Sequence, residues 1–127
     1  MAERDAVLVD GQTGTVDLVA LAGGGERRPA WSARIADLNL NLIILEAGSG
    51  IDEHVNEAVD VLILVVRGSG TVEIDGHCHD VAAGQLLVIS KGRRRALRAG
   101  PDGFAYLTCH RRREGLQPSA PRHGRQP

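Results

Sequence analysis

The sequence predicts an all-β fold, a single antiparallel barrel or sandwich. Short apolar segments recur roughly every eight to twelve residues, and glycines mark most of the gaps between them. No stretch of helical length carries the 3.6-residue apolar period. The chain of 127 residues is also long enough for one domain to bury a core without covalent staples. Trp31, Phe104 and Tyr106 are its only aromatic residues, so that core must be built from Val, Leu, Ile and Ala.

Taken in order, residues 1–14 read as a loosely held arm, and residues 15–21 (TVDLVAL) as a short strand closed by Gly23, Gly24 and Gly25. Residues 26–30 form a charged loop with Pro29, and residues 31–35 another strand. From Asp37 the sequence alternates strictly, with Leu38, Leu40 and Leu42 on one face and Asp37, Asn39 and Asn41 on the other. That pattern predicts a half-buried antiparallel strand, continued through Leu45 to a Gly-Ser-Gly turn at 48–50.

The stretch from Gly48 to Gly68 organises the rest. His54 and Asn56 lie two residues apart, so on a strand they share a face. The apolar run at 59–66 reads as a strand buried on both sides. Gly68-Ser69-Gly70 then breaks the pattern, and residues 71–75 and 77–82 flank Asp75-Gly76, a strong hairpin signal. Strands are expected at 84–90, 93–99 and 104–110, the last two separated by Gly100-Pro101-Asp102-Gly103 as a turn. Residues 1–116 make one domain, with 1–35 as arm and accessory strands. The tail at 117–127 lacks apolar anchors and is expected to be disordered.

A net charge of −1 gives no general attraction for nucleic acid or an anionic membrane. Arg111, Arg112 and Arg113, with Arg122 and Arg125, form a basic tail without the interleaved aromatic residues of a nucleic-acid site. Cys78 and Cys109 have no CxxC spacing and read as two reduced, partly buried thiols. The N-terminus lacks a signal-peptide pattern, and no apolar run approaches the ~18 residues that span a bilayer. A cytoplasmic protein is expected.

Two segments resemble the paired motifs of the cupin family of small jelly-roll barrels. The first motif reads G-x5-H-x-H-x(3,4)-E-x6-G, and Gly48, His54, Asn56 and Gly68 follow its layout. The second reads G-x5-P-x-G-x2-H-x3-N, and Gly84, Ser90-Lys91-Gly92 and Arg95 fall in register with it, without the closing Asn. The resemblance implies one antiparallel jelly-roll β-barrel that pairs into a homodimer through edge strands, with residues 1–35 available to cover a partner's sheet edge.

In metal-dependent cupins the two His and the Glu of the first motif, with the His of the second, hold one divalent ion. Carried over, that set becomes His54, Asn56, Val61 and Arg95: an imidazole, an amide, a hydrocarbon and a permanent cation. Asp60 lies beside Val61, but alternation puts it on the opposite face unless the strand bulges. No metal or other cofactor is therefore expected. A guanidinium at the Arg95 position, buried among Val and Leu, needs either a salt bridge to Asp60 or Glu53 or a small anionic ligand.

The expected pocket comprises His54, Asn56, Asp60, Arg95, Tyr106 and His110, the last two sharing a face of the final strand with Thr108. Asn56 either contacts a ligand or holds its loop, and His77 and His79 read as a surface pair. The function expected is a non-metal or weakly metal-binding cupin-domain protein that binds a small molecule, anionic if Arg95 grips it, in its barrel without catalysis. The alternative is an enzyme: a cupin of the dioxygenase or isomerase type, its metal held by His54 with Asn56, Asp60 and His110, or a metal-free one with His54 as acid/base beside Arg95. A structural protein with a filled barrel is the third reading.

Overall fold

The computed structural model describes residues 6–9 and 13–112. β1 (Ala6–Val9) and β2 (Thr13–Val16) form a two-stranded antiparallel sheet, followed by one helical turn, α1 (Leu18–Leu21). The remaining strands are β3 (Arg27–Arg34), β4 (Leu38–Leu45), β5 (Gly50–Val55), β6 (Val61–Ile74), β7 (His77–Ala82), β8 (Leu86–Ile89) and β9 (Arg94–Arg111). All pair antiparallel. Among the described residues no helix is long and apolar enough to cross a membrane. The tail at 117–127 lies outside the described residues.

Three expectations are corrected near the N-terminus. The strand expected at 15–21 is split: β2 ends at Val16, and the Asp17 side chain accepts a hydrogen bond from the Ala20 amide at 3.1 Å. That N-cap closes a helical turn where the apolar pattern alone favoured extension. The loop expected at 26–30 is instead the first part of β3, which pairs with β4 from Arg27 onward. Pro29 is tolerated because β3 pairs with β4 alone, at the edge of the sheet, and the register shifts between Arg27 and Trp31. Part of the arm expected at 1–14 is the β1–β2 hairpin.

Two expected turns are absorbed into the long strands. Gly68-Ser69-Gly70 runs through the middle of β6, and Gly100–Gly103 through the middle of β9. The register passes from Gly68 opposite Phe104 to Gly70 opposite Ala99, so β9 carries a bulge against Ser69. Close approach fixes the residue type there. A Cβ on Gly68 would strike the Gly103 carbonyl, and Gly68 sits at φ +76°, where L side chains are strained. A Cβ on Gly70 would lie 2.7 Å from the Phe104 ring.

The bulge divides both strands between two layers. The C-terminal half of β9 pairs with β4 and with the first half of β6, whose other side carries β8. Its N-terminal half pairs with β5 and with the second half of β6, beside β7. Between the layers lies one core, drawing Leu45, Ile63, Val65, Phe104 and Tyr106 from the first and Val72, Val81, Leu97 and Ala99 from the second. The aliphatic core follows from the composition, with Phe104 fully buried at its centre.

β4 alternates as its sequence requires, but its faces are the reverse of the expected ones. Asn39, Asn41, Ile43 and Leu45 stand opposite His110, Thr108, Tyr106 and Phe104, which is the barrel-interior face. Leu38, Leu40 and Leu42 stand on the other face, opposite Arg111, Cys109 and Leu107, and range from exposed at Leu38 to fully buried at Leu42. Part of that outer face is covered by the chain itself, since Ile44 and Ala105 pack with Ala22, the residue after α1. Arg67 holds this cover down, donating from Nε and Nη2 to the Ala22 carbonyl at 3.2 and 2.8 Å.

Candidate functional site

Arg95 and His54 are brought together by the pairing of β5 with β9, in which they stand directly opposite one another. Arg95 is buried, with 6% of its surface exposed. Its Nε donates to His54 Nε2 at 3.1 Å. A guanidinium has no acceptor, so His54 Nε2 must be the unprotonated nitrogen. The proton then sits on Nδ1, 3.0 Å from the Asp52 carbonyl, to which it donates. His54 is thus held from both sides as a neutral acceptor that orients Arg95, and its lone pair is already in use.

One further nitrogen of the guanidinium is not satisfied. Arg95 Nη1 is shielded from solvent and has no hydrogen-bond partner. Neither acid expected to neutralise it does so. Asp60 accepts from the Lys91 amide at 2.9 Å, and Glu53 lies 3.7 Å from the exposed Arg94. Burial lowers the Arg95 pKa from its ordinary value, and the influence of Tyr106 partly offsets this.

Tyr106 lies on the interior face of the facing layer, 3% exposed, its ring 4.9 Å from that of Phe104. Burial pushes its phenol far above the usual range, while Arg28 and Arg95 pull the other way, so the hydroxyl is a neutral donor. His110 is buried further along the same face, its Nδ1 3.1 Å from the Arg111 carbonyl. Asn39 and Asn41 join this polar end of the interior through the reversed faces of β4, and Asn41 Oδ1 accepts from the Ser32 hydroxyl at 2.6 Å. Alternation at 37–42 was visible in the sequence; which side faced the barrel was not, and both asparagines were missed.

Two expected pocket residues belong elsewhere. Asn56 is buried, but its Oδ1 accepts from the Ala58 and Val59 amides at 3.0 and 3.2 Å, so it closes the loop before β6. It leaves the shared face with His54 because β5 ends at Val55. Asp60 is exposed, while Val61 next to it is core. Asp60 lines a cleft of about 310 Å³ at the end of the outer face, with Leu38, Leu62, Lys91 and Cys109. His77 and His79 are exposed, in keeping with a surface pair. Cys78 is exposed and Cys109 half-buried, both as free thiols.

Measured against the metal set of the cupin motifs, the four positions do not fit a divalent ion. His54 Nε2 is engaged by a cation, the Asn56 oxygen is spent on its loop, Val61 has no donor atom, and Arg95 carries positive charge. Among the described residues no cluster of three or more His, Cys, Asp or Glu is placed to hold a metal.

No protein-family model matches the chain, and no curated protein matches it in sequence. Solved structures do. A protein from Bacillus halodurans superimposes with a TM-score of 0.70 at 16% identity, covering 86% of this chain and 88% of its own. A cupin protein from Bacteroides fragilis gives 0.60 at 19% identity, covering 82% and 86%. An RmlC-like cupin from Shewanella frigidimarina gives 0.60 at 20% identity, covering 70% and 78%. Together with the two-layered antiparallel barrel, these likenesses make the chain a small cupin-fold protein.

Proposed function

We propose that this cupin-fold protein binds a small anion inside its barrel, without a metal, at Arg95. One observation carries the reading: a buried guanidinium has one nitrogen bonded to a neutral histidine and another with no partner. A buried charge without a counter-charge costs several kcal/mol, at least ~1–3 of it for the unsatisfied donor alone. A carboxylate or phosphate oxygen at Nη1 would offset that cost with a charge-assisted hydrogen bond. Tyr106 offers a neutral donor on the opposite wall, and His54 keeps Arg95 in position. With its lone pair committed to Arg95, His54 is not free to act as a general base, so the reading is of a sensor or accessory protein acting inside the cell.

The test is calorimetric titration of the untagged protein with acetate, benzoate, malonate and phosphate, repeated on Arg95→Ala. Saturable binding of any of them that disappears in the variant supports the proposal. Binding that survives in Arg95→Ala, or the absence of binding across the panel, overturns it.

A further inference from the structure

The reversed faces of β4 also decide what stands along the barrel wall next to Tyr106. Two cross-strand rows run over the inner face of the first layer. One places Ser32, Asn41, Thr108, Ile63 and Leu87 side by side, and the next Arg34, Asn39, His110, Val61 and Ile89. Both rows change character between β9 and β6. Polar side chains stand on β3, β4 and β9, and aliphatic ones on β6 and β8. Thr108 and His110 follow Tyr106 by two and four residues, so the rows lie ~7 and ~14 Å along β9 from it. Tyr106 is also the residue whose phenol feels the Arg95 charge.

The polar half of the first row both donates and accepts. Asn41 Oδ1 accepts from the Ser32 hydroxyl at 2.6 Å, which leaves Nδ2 with two donors. Thr108 stands directly opposite Asn41, and its hydroxyl donates to the Asn41 carbonyl at 3.5 Å. The Thr108 oxygen keeps its lone pairs as acceptors. A donor and an acceptor side by side match a hydroxyl group, which does both, whereas a second carboxylate could only accept.

Charge argues the same way. Apart from the His110 imidazole, Arg34 is the one ionisable side chain on the two rows, and it is exposed on the edge strand β3. Arg28, the other cation whose field reaches Tyr106, is already held by Glu26 at 2.7 Å and by the Ser49 hydroxyl at 2.8 Å. Beyond the anionic head, this wall therefore suits neutral hydroxyls, and the aliphatic half of each row suits the C–H side of the same chain. Given anion binding at Arg95, on which this rests, we infer that the ligand is a hydroxylated monocarboxylate. Its carboxylate sits at Arg95, and its hydroxyls reach Asn41 and Thr108. The ~7 Å between Tyr106 and the first row sets its chain at about four to six carbons.

Calorimetric titration with acids matched in length and charge tests this. Gluconate is compared with hexanoate and threonate with butyrate, on the wild type, Asn41→Leu and Thr108→Val, with sorbitol as the uncharged polyol. Both substitutions nearly conserve volume at half-buried positions, and thermal melts check that each variant is folded. Gluconate should bind at least ~10-fold more tightly than hexanoate, because an alkyl chain leaves the polar half of the wall without partners. Each variant should cut that ratio at least ~3-fold by weakening gluconate and not hexanoate. Hexanoate binding as tightly as gluconate overturns the inference, and so does a preference unchanged in both variants or sorbitol binding as tightly as gluconate. If the two acids bind equally and both are lost in Arg95→Ala, the anion site stands and only its hydroxylated ligand falls. No binding by any of the four acids also overturns the inference, and the anion site falls with it when acetate, benzoate, malonate and phosphate fail as well.

Discussion

Replacing Arg95 by Met is the most informative single change, because opposing terms set its sign. Met keeps most of the length and removes the charge. One loss follows: His54 Nε2 is left without the donor 3.1 Å away, a cost of about 1–3 kcal/mol for a partly buried acceptor. Against it stands the removal of a guanidinium that is 6% exposed, has Nη1 unpartnered and faces no carboxylate. Replacing buried charges by well-packed apolar side chains is commonly neutral or stabilising by ~1–4 kcal/mol. The second term prevails, and Arg95→Met should be between neutral and ~3 kcal/mol more stable than wild type without ligand. For a domain of this size, about 3–5 °C per kcal/mol gives a rise in Tm of up to ~15 °C. The ligand cancels most or all of that difference. An anion at 100 times its Kd stabilises the wild type by about 2.7 kcal/mol and the variant not at all. Urea denaturation gives the first difference and thermal melts with and without anion give the second. An Arg95→Met protein destabilised by more than ~2 kcal/mol that still melts higher with anion would refute the reasoning.

Other consequences follow from single side chains. Tyr106 is the only tyrosine, so its ionisation can be read alone at 295 nm. Because its folded pKa is raised, folding stability is complete below the unfolded value of about 10 and falls as pH rises past it; phenolate absorbance should appear together with unfolding, and a separate native-state titration near pH 10 would contradict its burial. Asp75 has a lowered pKa, chiefly because its carboxylate accepts from the Arg94 amide and then from the Arg93 side chain. Its contribution is present above about pH 4 and is lost as pH falls through the folded value, so Asp75→Asn should flatten the acid limb of the Tm–pH curve. Asn56→Ala strands the Ala58 and Val59 amides and should cost ~1–3 kcal/mol in urea denaturation, while Asn56→Asp, which keeps the acceptor, recovers most of it. Elemental analysis of untagged protein should find no stoichiometric iron, manganese, nickel or zinc; a metal at one per chain that is lost in His54→Ala would overturn the metal-free reading.

The strand rhythm was legible because glycine spacing and alternation act locally. β7 falls at the residues the sequence indicates, 77–82, since Asp75-Gly76 sets the hairpin and hence the register. The core position of Val61 and the exposure of Asp60 follow from alternation alone. What was not legible depends on partners distant in sequence. Glycine at 68–70 and at 100–103 looks like a pair of turns until the two segments meet and form one bulge. The Leu row of β4 looks like the barrel interior until β9 shows which face encloses Phe104; Leu42 is buried on the other face. Arg95 was identifiable as the position that replaces a metal ligand. That His54 would spend its lone pair on Arg95, and that both nearby acids would be engaged elsewhere, required the folded register.

The bulge of β9 has a consequence for how such a barrel changes over time. Arg95 and Tyr106 belong to one strand, eleven positions apart, and the four bulged residues 100–103 lie between them. The cation and the phenol are therefore two jaws on a single rod, and the bulge is its adjustable joint. A residue gained or lost at Pro101 or Asp102, both exposed, would slide one jaw relative to the other without changing the identity of any lining side chain. On the proposed anion-binding reading, the size of ligand that fits would be reset by surface residues that never touch it.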